Sequence, residues 1–69
     1  MPLTLVEPGK EVEIARITGK EDVRRHLGDL GFVVGGRVTV ISTIEGNLII
    51  KVQESRVAIS KEMASKIIV

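Results

Sequence analysis

The sequence predicts a mostly β fold: a small five-stranded barrel, with one short helix after the first strand and a short helical turn near the C-terminus. Three observations carry this. Hydrophobic residues make up 43% of 69 residues, and Val, Ile and Leu dominate them. Apolar and polar residues alternate over several short runs separated by glycine-containing turns, the pattern of half-buried strands. One stretch alone, Val23 to Leu30, carries apolar residues at helical spacing, and it ends on a glycine.

The elements follow in order. Pro8-Gly9 is a turn pair. Glu11 to Ile17 reads as the first strand, with Glu11, Glu13 and Arg16 facing water. Thr18 or Gly19 is then expected to cap a helix over Lys20 to Asp29. Glu21 and Asp22 sit in its first turn and Arg24, Arg25 and His26 later, the distribution that the helix dipole favours. Val23, Leu27 and Leu30 form its apolar stripe, and Gly31 is placed to stop it in the left-handed conformation. Gly28, inside the helix, costs ~1 kcal/mol relative to Ala and marks either a close backbone approach or simply a short helix.

Gly35-Gly36 is the next turn. Arg37 to Thr43 is the second strand, with Val38 and Val40 on one face. Glu45-Gly46-Asn47 turns the chain into a third strand, Leu48 to Gln53. Glu54-Ser55 turns it again into a fourth, Arg56 to Ile59. Ser60 caps a short helical turn over Lys61 to Lys66, in which Met63 and Ala64 are available for packing. Ile67-Ile68-Val69 is a β-branched, apolar last strand that must pair with something. Closing these strands into a barrel hides their edges, with the helix plugging one end, an SH3-like arrangement.

Composition narrows function. A chain this short is one domain and buries about 60% of its unfolded surface, close to the lower limit for folding alone. It has no cysteine, so neither a disulfide nor a thiolate-bound metal supports it. Ten basic residues against nine acidic give a net charge of +1, which is no footprint for nucleic acid or an anionic membrane. No apolar run approaches the ~20 residues needed to span a bilayer, and the start lacks the features of a signal peptide. A cytosolic protein is expected. With no Trp and no Tyr, the chain lacks the aromatic groove of a barrel that reads Pro-rich peptides, and the stacking platform of one that binds single strands. Neither Gly28-Asp29-Leu30-Gly31 nor Gly35-Gly36-Arg37 carries the Lys-Ser/Thr pair that completes a phosphate loop. One histidine with no convergent nucleophile and acid argues against an enzyme.

Taken in order, Pro8-Gly9, Ile14 to Gly19, Arg24-Arg25 through Leu27, Leu30-Gly31-Phe32 and Gly35 resemble the FeoA family, ferrous iron transport protein A. Val57 to Ser60, Met63-Ala64 and Ile67 to Val69 extend the resemblance over nearly the whole chain. His26 stands where that family often has Arg, and Gly28 where a larger apolar residue is common. The resemblance implies an SH3-like barrel in the cytoplasm. It also implies an accessory or regulatory role beside FeoB, a membrane ferrous-iron transporter with a cytosolic G-protein domain. Transition-metal binding is associated with that family, but this sequence does not show the ligand set, so no cofactor is expected. The same domain occurs fused to iron-dependent repressors, but the chain begins and ends at the domain limits, which favours the stand-alone form.

Two sets of residues are candidates for function. Arg24 and Arg25 on the helix, with Val33 and Val34 after it, form a candidate partner-binding surface. Phe32 is the sole aromatic and belongs in the core, whereas Val33 and Val34 cannot both point inward from an extended segment. The bland alternative is a solvated helix face beside a satellite apolar contact. His26, with Asp22 at i−4 and Asp29 at i+3, is a weak candidate set for a divalent metal, and a solvated face with charge partners is the alternative. A metal-sensing regulatory domain is the second functional reading. Self-association is the third, suggested by a mean hydropathy of +0.26 and by the terminal strand Ile67-Ile68-Val69, which could pair between chains.

Overall fold

The computed structural model describes residues 1–69. A 3-10 turn at Leu3–Leu5 precedes strands β1 (Glu11–Glu13) and β2 (Arg16–Ile17), helix α1 (Glu21–Asp29) and strands β3 (Arg37–Ile44), β4 (Asn47–Val52) and β5 (Ser55–Ser60). A one-turn helix α2 (Lys61–Ala64) and strand β6 (Ile67–Ile68) close the chain. β1, β3, β4 and β5 form an antiparallel sheet in that order, and β2 pairs with β6 in a second. The fold is mostly β, as the alternation predicts, with the helix and the helical turn where the sequence places them.

The strand count and closure differ from expectation. There are six strands in two sheets rather than five in a closed ring. The predicted first strand, Glu11 to Ile17, is divided at Ile14-Ala15 because its hydrogen-bond partners change there. Ile14 N–H donates to the Gly36 carbonyl at 2.9 Å, while Ala15 N–H donates to the Ile68 carbonyl at 2.8 Å. One continuous segment thus serves β3 on one half and β6 on the other. Closure stops short because α2 takes up the chain between β5 and β6, and the N-terminus covers the outer side of β6. Pro2 bridges Ile68, Val69 N–H donates to the Met1 carbonyl at 2.7 Å, and the Met1 ammonium donates to the Val69 carbonyl at 2.7 Å. The terminal strand is therefore paired on both sides within its own chain, which removes it as the route to self-association.

Thirteen residues form one core cluster with no buried polar or charged side chain. Phe32, Val38 and Val40 are fully buried in it, as their sequence positions predict. Leu3 joins them from the N-terminal turn, an anchor the alternation pattern does not reveal. Helix α1 starts at Glu21 with Lys20 as its N-cap and no side-chain cap. The expected cap is absent because the Thr18 hydroxyl donates instead to the Lys66 carbonyl at 3.1 Å, tying β2 to the C-terminal segment. The helix ends as predicted. Gly31 has φ +106°, its N–H donates to the Gly28 carbonyl at 2.9 Å, and Phe32 N–H donates to the Leu27 carbonyl at 3.0 Å. These are the two bonds of a Schellman stop, closed by the buried Leu27 and Phe32 side chains.

The second hairpin lies one residue earlier than the Glu54-Ser55 turn expected. Gln53 and Glu54 form the two-residue connection, with Gln53 at φ +56°, and Val52 pairs with Ser55. The first hairpin turns at Glu45 and Gly46, both at positive φ, as a two-residue hairpin loop prefers. At α2, the Ser60 hydroxyl accepts from Met63 N–H at 3.2 Å, the predicted cap.

Candidate functional site

The segment after α1 is the best-defined surface feature. The chain leaves the Schellman stop, buries Phe32, and then turns tightly over Val33 to Gly36. Gly36 N–H donates to the Val33 carbonyl at 3.0 Å, and Gly35 takes φ +86°, the positive value that a type II turn demands at its third residue. A β-carbon on Gly36 would lie 3.0 Å from the Val33 carbonyl oxygen, so the turn has little room for a side chain there.

This turn is held from below. Gly35 N–H donates to the Ile14 carbonyl at 2.8 Å while Ile14 N–H reaches Gly36, so the point where β1 passes into β2 fixes the turn by two hydrogen bonds. Ile14 is itself buried. Val33 and Val34 therefore project from a backbone with little freedom, 50% and 64% exposed. The sequence expectation that at least one valine stays outside is met by both.

The candidate cations stand on α1. Arg24 is exposed and makes no ion pair. Arg25 reaches Glu21, one helical turn back, with Nη2 at 3.6 Å from Oε1, and both side chains are largely in water. Such a pair adds only ~0.3–0.5 kcal/mol and leaves Arg25 available to another carboxylate. By helical spacing, Arg24 flanks the core-facing stripe of half-buried Val23 and buried Leu27 on one side, Arg25 points opposite to it, and His26 lies on the other flank.

The metal candidates do not come together. Asp22 accepts a hydrogen bond from Val23 N–H at 2.9 Å, and nowhere do three or more His, Cys, Asp or Glu side chains gather into a group that could hold a metal ion. His26 and Asp29 are exposed on the helix surface. No pocket opens in the surface, and no helix is long and apolar enough to cross a membrane. Sequence reasoning missed a second exposed feature, the outer edge of β5, because the barrel closure it expected would have hidden that edge.

Comparison with known proteins completes the picture. The family model described as FeoA domain matches residues 1–69. No curated protein sequence matches. Among solved structures, a crystal structure of an iron uptake regulatory protein (FeoA) shares 30% identity, with TM-score 0.87 over 96% of this chain and 88% of that one. The solution structure of FeoA from Chlorobium tepidum has 23% identity and TM-score 0.89, over 99% of this chain and 67% of that one. The zinc complex of FeoA from Stenotrophomonas maltophilia has 21% identity and TM-score 0.84, over 99% of this chain and 87% of that one. That protein is described as a prokaryotic SH3-domain protein and a candidate ferrous iron transport activating factor.

Proposed function

This chain belongs to the FeoA family, and on that premise we propose that it is a cytoplasmic accessory protein of ferrous iron uptake that binds the cytosolic region of a FeoB-type transporter and modulates it. The family is one of transport accessory and regulatory domains, so binding rather than catalysis is the activity to derive. The observation that carries the reading is the pinned turn that holds Val33 and Val34 out of the core. Two adjacent exposed aliphatic side chains on a rigid backbone lose little conformational entropy on docking, so most of their burial appears as affinity. Covering a valine fully is worth about 1.5–3 kcal/mol, and roughly half of each remains to be covered here. Arg24 and Arg25 would add charge complementarity and a faster encounter with an acidic surface.

Modulation follows from differential binding. The domain shifts the transporter's conformational equilibrium only as far as it binds one state more tightly than the other. Calorimetric titration of the transporter's cytosolic G-domain with wild-type and variant protein tests the assignment. Val33→Asp and the double change Arg24→Glu, Arg25→Glu each alter exposed side chains, so the far-UV spectrum and melting temperature stay near wild type. Val33→Asp weakens binding about tenfold or more, from the lost apolar cover and the new desolvation cost. Unchanged affinity in both variants would refute the assignment.

A further inference from the structure

β5 is the one long strand with a side that no strand pairs anywhere along its full length. It pairs with β4 over its full length without a bulge, and no strand lies beyond it. The phase of that pairing is set by the bond from Lys61 N–H to the Gly46 carbonyl at 3.0 Å. Stepping back two residues at a time, Ile59, Val57 and Ser55 exchange hydrogen bonds with β4, whereas the N–H and C=O groups of Arg56 and Ala58 point away from the sheet. Both of those residues are exposed, so side chains do not cover the edge there. The strand contains no Pro and no inward-pointing charge, two of the common devices that blunt an edge.

The side chains on this edge carry an uncompensated charge. Lys51 and Arg56 stand directly opposite each other on the solvent face, at a non-hydrogen-bonded position where side chains approach most closely. Like charges so placed destabilise a sheet. No acidic partner relieves them: neither forms an ion pair, and Glu11, on the same cross-strand row beyond Thr39, is taken by Arg37 at 3.4 Å. Beside them on the same face, Ile49 opposes Ala58.

We infer that the β5 edge is a second interaction surface, which takes an extended acidic segment of a partner protein as an added strand. The N–H and C=O groups of Arg56 and Ala58 supply its main-chain hydrogen bonds, and its carboxylates lie against Lys51 and Arg56. Residues alternating with those carboxylates fall on the core side, beside the half-buried Val57. Charge selects this occupant over a second copy. Two chains pairing antiparallel about Ala58 would bring both Lys51–Arg56 pairs onto one sheet face and add to the repulsion. This surface is separate from the Val33-Val34 turn and does not rest on it.

The test is amide NMR of the intact domain with a capped peptide that alternates valine and glutamate, alongside a control that alternates valine and lysine. With the glutamate peptide, the amides of Arg56 and Ala58 shift and exchange with solvent about tenfold more slowly, while Val57, already bonded to β4, gains no protection. Arg56→Glu places opposite charges across the strand pair and keeps the fold, but it weakens the glutamate peptide about tenfold and turns the preference toward the lysine peptide. Unchanged Arg56 and Ala58 amides at millimolar glutamate peptide would overturn the inference. So would an equal response to the two peptides, or protection that grows with protein concentration alone, the mark of a second copy.

Discussion

Two glycines three residues apart on the same helix end should respond in opposite directions to the same methyl group. Gly28 has helical backbone geometry, is exposed, and a β-carbon there meets nothing within 4 Å. No close backbone approach explains it, so the sequence-level alternative of a tight contact is excluded. Gly28→Ala gains helix propensity and loses unfolded-state entropy, together about 0.5–1 kcal/mol. A domain of 69 residues has an unfolding entropy of roughly 0.15 kcal/mol/K, so the melting temperature rises by roughly 3–7 °C. Gly31 sits at φ +106°, and a β-carbon there would lie 3.4 Å from Val52 Cγ2. Gly31→Ala costs about 1–2 kcal/mol and lowers the melting temperature by roughly 7–14 °C. With no Trp or Tyr in the chain, far-UV circular dichroism through thermal and urea transitions is the suitable assay. A destabilised Gly28→Ala, or a cost-free Gly31→Ala, would refute the helix end described above.

Two further substitutions probe the local devices. Ser60→Ala removes the acceptor of Met63 N–H and costs about 1 kcal/mol, read as a lower urea midpoint with an unchanged slope. Gln53→Gly relieves a non-glycine residue at φ +56° in the β4–β5 turn and raises stability by up to about 1 kcal/mol, although glycine's own unfolded-state entropy offsets part of this. The same melting experiment checks it.

Local chemistry made much of this legible in advance. The Leu30-Gly31-Phe32 order encodes a Schellman stop because only glycine takes the left-handed residue cheaply and the next residue is apolar enough to close it. Ser60 ahead of Glu62 encodes a cap for the same local reason. The misread features depend on distant partners. Nothing within Glu11 to Ile17 says that Ile14 answers to Gly36 and Ala15 to Ile68. The buried Leu3 and the pairing of Met1 with Val69 exist only once the two chain ends meet.

The turn after β4 shows how a small error hides a surface. A turn at Glu54-Ser55 is the better reading of local preferences, and it would set Lys51 opposite Ala58. The observed turn, one residue earlier and at the cost of a positive φ at Gln53, sets Lys51 opposite Arg56 instead. The candidate site was partly legible. Two adjacent valines cannot share one side of an extended chain, and both proved exposed. Their rigidity, which makes them suited to docking, comes from the Ile14 hydrogen bonds and was not legible.

The measurement that bears most directly on the central claim is an amide NMR titration of the domain with the cytosolic G-domain of its cognate ferrous-iron transporter, with and without ferrous iron. The account predicts shifts clustered from Arg24 to Val34, present without iron. Shifts that skip this segment, or a response confined to the amides around His26 that needs only iron, would contradict it, and the second result would make the domain a metal sensor.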